Sequence, residues 1–203
     1  MARIITVSRE FGSGGREIGK RLADELGFEY YDREIIEQVA KESNLDSAYV
    51  ENALNGNFSM SFPVTFGRTF LYTDALQQNV TNLLVAEQKI IRALAEKNTD
   101  MVIVGRSADV LLKEYSPFNI FVYADTQSKL RRCRERAPED EKLTDKELLK
   151  KIKQVDAGRT RQRRLLTDSE WGAKESYHLC INTTGLNIKN LVPPLAEFIK
   201  NYF

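Results

Sequence analysis

Imidazole and thiol are nearly missing from this chain. His178 is its one histidine, and Cys133 and Cys180 are its two cysteines, among 203 residues. Those counts exclude a disulfide scaffold, a zinc finger and a multi-histidine zinc site. A Ser–His–Asp or Cys–His mechanism would have to run through His178, which follows Tyr177 at the start of an apolar run and reads as a strand residue. An excess of one charge is missing too. Thirty Lys and Arg against 29 Asp and Glu leave a net charge of +1, which argues against a general nucleic-acid binder or a membrane-surface protein. Long apolar runs are absent: Met101–Val104 is far too short to cross a bilayer, and MARIITVSREFG has no stretch fit for a signal peptide. A cytoplasmic protein without a membrane partner is expected. What the chain does have is 42% hydrophobic residues, enough to bury the core of one domain of ordinary size.

The even charge balance conceals an uneven distribution. From Gln127 to Arg164, 14 Lys and Arg stand against 7 Asp and Glu, a local balance of +7 that the rest of the chain offsets. A basic run on a helix is often only a solvated face. Here its end is rich in arginine, with Arg159, Arg161, Arg163 and Arg164 close together. A planar guanidinium matches phosphate oxygens two at a time, which an ammonium does not. The pattern points to phosphate before it points to a polymer.

Apolar periodicity predicts strands alternating with helices. Arg3–Ser8, Tyr30–Tyr31, Met101–Val104, Asn119–Tyr123 and His178–Ile181 read as short strands. Helices are predicted around Ile18, Leu22 and Leu26 with Gly27 as the stop, around Ile35–Ala40, and over Asp74–Lys97, Gln127–Arg136 and Thr144–Leu166. Thr144 with Glu147 is a capping-box signature. A last helix is predicted over Ile188–Tyr202, although Pro193–Pro194 oppose its early course. Asn55–Thr73 shows no periodicity and reads as a loop or flexible subdomain. The expected fold is α/β: three layers, α/β/α, around a mostly parallel five-stranded sheet. Such sheets bind ligands at the carboxyl ends of their strands. The segments to search are therefore Ser8–Arg16, Asp32–Arg33, Gly105–Asp109 and Asp125–Thr126.

The first strand runs into Phe11-Gly12-Ser13-Gly14-Gly15-Arg16, and a helix follows. Glycines let backbone N–H groups turn inward around a phosphate, and the helix adds its positive end. The same sequence is also compatible with a plain tight turn. The opening stretch ITVSREFGSGGREIGKRLADELGFEYYD resembles that of the cytidylate kinase-like family, within the P-loop nucleoside monophosphate kinases. The likeness continues in VIVGRSADVLL, in the basic helix Asp156–Arg164, in Thr167–Gly172 with Trp171, and in LCINTTGLNIKNL. It covers nearly the whole chain. The resemblance implies a P-loop NTPase-like fold in one domain, 1–203. It also implies an acceptor-binding region about 44–73 and an Arg-rich helical lid about 137–172. It further implies phosphoryl transfer from ATP with Mg²⁺ to CMP or a similar small acceptor, with nucleotides rather than nucleic acid as partners. Oligomeric state stays open, a homo-oligomer included.

Two side chains of the P-loop pattern are absent. In G-x-x-x-x-G-K-[ST] the lysine meets the β/γ-phosphates and the hydroxyl meets Mg²⁺. Laid on this chain, the first glycine falls at Arg9, the second at Gly14, the lysine at Gly15 and the hydroxyl at Arg16. Three readings compete. In one, Arg16 replaces the lysine with help from Lys20, and Ser13 or a water takes the magnesium duty. In another, the loop binds nucleotide without turnover, as a regulator would. In the third it holds a different anion, such as an RNA end. On the kinase reading, Gly12, Ser13, Gly14, Gly15 and Arg16 cradle the donor phosphates. Similarity to the family's lid then suggests that Arg159, Arg161 and Arg163 close over the transferring group. Arg106, after a buried strand, is expected at the acceptor phosphate, with Arg131 and Arg132 assisting. Asp32 either meets the acceptor or caps the helix from Arg33. Asp109 either joins the substrate or magnesium shell or caps the helix Val110–Lys113.

Overall fold

Each β-branched or aromatic run becomes a strand of one parallel sheet. This computed structural model describes residues 2–54, 69–137 and 143–203. Strands β1 (Ile4–Arg9), β2 (Glu29–Tyr31), β3 (Met101–Val104), β4 (Phe118–Tyr123) and β5 (Leu179–Asn182) lie in the order β2-β3-β1-β4-β5. Every neighbouring pair is parallel. Among the described residues the helices are α1 (Gly15–Leu26), α2 (Arg33–Ser43), α3 (Ser47–Leu54), α4 (Thr69–Glu96), α5 (Ala108–Leu111), α6 (Thr126–Glu135), α7 (Asp145–Arg164) and α8 (Ile188–Lys200). None of the described helices is long and apolar enough to cross a membrane.

Parallel strands are buried on both faces, which explains their continuous apolar runs. On one face Ile4, Met101 and Ile103 pack against Ile35, Val50 and Ile91 of α2, α3 and α4. On the other, Ile5, Val7, Val104 and Ile120 pack against Ile18 and Leu22 of α1 and Leu195 and Ile199 of α8. A small third cluster of Leu130, Leu148 and Ile152 joins α6 to α7. Ile5 is fully buried at the sheet's centre, so Ile5→Val is expected to cost about 1 kcal/mol of unfolding free energy in urea titrations.

The sheet comes out wholly parallel, and several boundaries move. A helix that the sequence reading did not place, α3, precedes Asn55, held by buried Val50, Ala53 and Leu54. Helix α4 begins at Thr69 rather than Asp74. Of the loop expected over Asn55–Thr73, residues 55–68 fall outside the described residues and the rest belongs to α4. Pro193 and Pro194 lie inside α8, whose Asn187 side chain caps the helix by accepting the Lys189 N–H. The Thr144–Glu147 capping box forms at the start of α7 as its sequence predicts. Cys133 and Cys180 are half-buried thiols.

Candidate active site

Order 2-3-1-4-5 makes the chain leave the sheet centre in opposite directions, and the carboxyl ends of β1, β2 and β3 open onto one crevice. The glycine loop hangs over it. Gly12 and Gly14 take φ of +77° and +84°, where side-chain-bearing residues are strained. Three elements hold the loop. From below, Arg132 donates to the carbonyls of Ser13 (3.4 Å) and Thr183 (2.5 Å), and the Thr183 hydroxyl donates to the Ser13 carbonyl at 2.6 Å. From α6, Lys129 pairs with Glu10 at 2.5 Å. From α7, the Asp156 carboxylate accepts the Phe11 N–H at 2.8 Å, and Arg159 donates to the Arg9 carbonyl at 2.8 Å and to Asp156 at 3.2 Å. Helix α7 is thus bonded directly to the loop backbone. Burial raises the Asp156 carboxyl above its usual range, opposed by the Phe11 N–H and by Arg159.

Beneath the loop lies an open cleft of about 330 Å³, within the span of small-molecule sites. Eight basic side chains line it, Arg9, Arg16, Arg33, Arg106, Arg132, Arg136, Lys151 and Arg159, against the acidic Glu10, Asp32 and Glu51. Asp32 is the hub. Its carboxylate meets Arg16 Nε at 2.5 Å, Arg9 Nη2 at 3.4 Å and the Tyr30 hydroxyl at 3.5 Å. It precedes α2 yet makes no capping bond with its side chain. Asp32 thus stands at the N-cap position of α2 while its side chain is engaged by Arg16 and Arg9. Burial lowers the Arg9 guanidinium to about 9, with the nearby Arg159 charge acting in the same direction and Asp32 against it. Burial likewise lowers Arg159, where Asp156 opposes the shift and Arg106 adds to it.

The end of β3 carries the strain of the site. Gly105, Arg106 and Ser107 adopt φ of +79°, +59° and +50° in succession. Left-handed backbone at two consecutive non-glycine residues costs energy that surrounding contacts must offset, and such strain clusters at functional sites. Its effect here is to aim Arg106 into the cleft. The Arg106 side chain faces Glu87 of α4 at 3.4 Å, its Nε is buried without a hydrogen-bond partner, and Gln162 of α7 donates to Glu87 at 2.8 Å. Burial raises the Glu87 carboxyl, which Arg106 and Gln162 pull back down.

Other residues expected at the site lie elsewhere. Arg163 is buried beside the cleft, bonded to Asp109 at 2.6 Å and to the Ser169 carbonyl and hydroxyl. Asp109 lies in the first turn of α5, whose N-cap is Ser107, so it is neither cap nor cleft carboxylate but the counter-ion of Arg163. Arg161 is exposed. Lys20 pairs with Asp24 on the outer face of α1, and Arg131 approaches Glu135 at 3.9 Å on α6. Trp171 packs edge-on against Phe121, and His178 stacks on Phe118 while accepting the Asn119 N–H. Ser13 is fully buried and donates its hydroxyl to the Glu10 carbonyl at 2.8 Å. No cluster of three or more carboxylate, imidazole or thiol groups gathers among the described residues. The described side chains therefore do not form an all-protein magnesium cage, and one or two oxygen ligands together with nucleotide phosphates are the usual way this ion is held.

Arg9, Lys129, Asp156 and Glu87 contact the loop or the cleft arginines without having been singled out in the sequence as site residues. For Arg9 a signal existed: glycine at both 15 and 105, where its side chain passes.

Comparison with known proteins agrees with this architecture. A protein from Eubacterium ventriosum is 24% identical, with a TM-score of 0.71 and 98% of each chain covered. Shikimate kinase from Bacteroides thetaiotaomicron is 15% identical, with a TM-score of 0.57 over 98% of each chain. Shikimate kinase from Acinetobacter baumannii, in complex with shikimate, is 14% identical, with a TM-score of 0.56 over 100% of this chain and 95% of that one. At these identities the likeness is one of fold. No curated protein is similar to the chain in sequence. Residues 4–185 match the cytidylate kinase-like family from end to end of the sheet. The chain belongs to the cytidylate kinase-like family.

Proposed function

We propose that this protein transfers the terminal phosphoryl group of ATP to CMP or a similar small acceptor. The observation that carries the proposal is the convergence of Arg16, Arg106 and Arg159, from three distant parts of the chain, on one cleft under a glycine loop. Phosphoryl transfer asks a protein for positioning and charge neutralisation and for little covalent chemistry. The loop N–H groups and the start of α1 receive the donor phosphates. Arg106, with an unpartnered buried Nε, receives the acceptor phosphate. Arg159, fixed to the loop and to Asp156, neutralises the group in flight. An acceptor phosphate oxygen attacks the γ-phosphorus, the bond to the β–γ bridging oxygen breaks, and ADP leaves. That attacking oxygen is already ionised at neutral pH, so the step needs no general base, in keeping with a cleft that has no histidine.

Gly15 at the lysine position supports a second reading, a nucleotide-binding regulator without turnover. One assay separates the two. Pure protein is incubated with ATP, supplied as its magnesium salt, and a panel of nucleoside monophosphates with shikimate, and ADP is measured. ADP formation that depends on a cytidine monophosphate supports the kinase. Thermal stabilisation by ATP with no ADP under any acceptor supports the regulator and overturns the kinase.

A further inference from the structure

We propose that Arg9 is the phosphate-binding cation of this site, standing in for the absent P-loop lysine from the opposite flank of the loop. In the P-loop pattern the cation follows the loop, on the first turn of the helix, and the residue that opens the loop is glycine. Here the two are exchanged: arginine opens the loop at position 9 and glycine stands at 15.

The exchange is enforced by space. The Arg9 side chain leaves the end of β1 and crosses the start of α1 on its way into the cleft. A Cβ at Gly15 would lie 2.5 Å from Arg9 Cβ and 3.1 Å from Arg9 Cγ, so no side chain fits there while Arg9 takes this path. Further on, the guanidinium lies against the end of β3, where a Cβ at Gly105 would fall 1.6 Å from Arg9 Nη1. Two glycines, one opening α1 and one following β3, thus vacate one channel, and the channel carries a cation to the junction of β1, β2 and β3.

The charge at that junction lacks an equal counter-charge. Arg9 reaches its one carboxylate, Asp32, at 3.4 Å, and Asp32 is held more closely by Arg16 at 2.5 Å. Arg106 and Arg159 are the other cations around it, each beside its own carboxylate, Glu87 and Asp156, so Arg9 and Arg16 share the single charge of Asp32. Burying a guanidinium among guanidiniums is unfavourable unless an anion joins them. A polyphosphate supplies that anion, and a fork at this position can meet two of its oxygens. Arg16 is a weaker candidate for the lysine's duty, since its half-exposed side chain is tethered to Asp32. The burial that lowers Arg9 acts at full strength near pH 7, where the group is charged. Removing the charge should therefore not destabilise the ligand-free protein.

This inference rests on reading the cleft as a phosphoryl-transfer site, and binding of inorganic tripolyphosphate tests it apart from turnover. Calorimetric titrations compare the unaltered protein with Arg9→Met, Arg16→Ala, Arg9→Gly and the double variant Arg9→Gly/Gly15→Lys. Gly15 has no left-handed φ, and removing the Arg9 side chain relieves the 2.5 Å approach to a Cβ there, leaving Val122 Cβ at 3.1 Å to give slightly. Arg9→Met should melt no lower than the parent and bind tripolyphosphate and ATP roughly ten- to a hundredfold more weakly. Its loss should exceed that of Arg16→Ala. The double variant should regain affinity over Arg9→Gly, since the lysine returns the charge from the helix side. Arg9→Met binding within twofold of the parent, or Arg16→Ala losing more than Arg9→Met, overturns the assignment and leaves the kinase reading standing. A parent that binds neither tripolyphosphate nor ATP overturns both.

Discussion

Arg163→Ala is expected to lower the free energy of unfolding by about 4 kcal/mol, because it leaves a buried carboxylate without its cation. In a chain of this size that corresponds to a fall in Tm of roughly 10 °C. The Arg163 and Asp109 side chains are 3% and 2% exposed and meet at 2.6 Å. The guanidinium also donates to the carbonyl and hydroxyl of Ser169, while Asp109 Oδ1 has no partner even with Arg163 present. Truncation would strand the whole carboxylate in a site that water does not reach. Removing both charges is a different matter, since a buried ion pair is seldom better than an apolar pair of similar volume. Arg163→Met combined with Asp109→Leu should recover most of the loss. Urea titrations of the two variants provide the measurement, and a loss below about 1 kcal/mol for Arg163→Ala would contradict this account.

The pair also explains why a residue outside the cleft matters to it. Arg163 follows Arg159 by one turn of α7, and its bond to Asp109 fixes that helix to α5, directly after the strained end of β3. The arginine bonded to the loop and the arginine that follows β3 are thereby linked through a third arginine whose partners are Asp109 and Ser169. In the sequence, Arg159 and Arg163 share a helical face and look interchangeable. Spacing alone cannot assign one to the cleft and the other to a carboxylate 54 residues away.

The rest of the comparison between sequence and structure follows the same physics. The sheet was legible because fully buried parallel strands must be continuous apolar runs, and Met101–Val104 and Asn119–Tyr123 can be little else. Arg106 and Arg16 were legible because they follow strand ends, where this architecture places ligands. Asp156 and Lys129 were hidden because each is one charge among many on a charged helix, and only folding shows that both face Glu10 and Phe11. Glu87 was hidden as one charge between Ala86 and Gln88 on a long amphipathic helix. Arg9 was concealed by the motif itself: aligned with a glycine, it looks like a defect in the loop. Helix α3 escaped because its three buried positions lie in a stretch with no sustained apolar period.

Replacing Arg159 by alanine is expected to reduce kcat by roughly 10²–10³-fold, the usual cost of removing a positioned donor to charge that develops in the transition state. Its bonds to the Arg9 carbonyl and to Asp156 both leave from Nη1, so the guanidinium is fixed to the loop by one arm and needs no reorganisation when substrate arrives. Preorganisation of this kind raises kcat rather than ground-state affinity. The dissociation constant for ADP, which lacks the transferring group, should therefore shift much less than kcat. Arg159→Lys keeps the charge but not the planar fork, and should recover less than about a tenth of the lost rate. Arg161→Ala, altering an exposed side chain two residues along the same helix, should lower kcat by less than about threefold. Steady-state rates together with ADP titrations decide the matter. If Arg159→Ala weakened ADP binding as much as it lowered turnover, the residue would belong to the donor cradle instead. Asp156→Asn then adds a directional check, since it keeps the shape but weakens the anchor that holds Arg159. It should lower kcat by a smaller factor than Arg159→Ala, and combining the two changes should cost no more than Arg159→Ala alone, because residues acting as one unit are not additive.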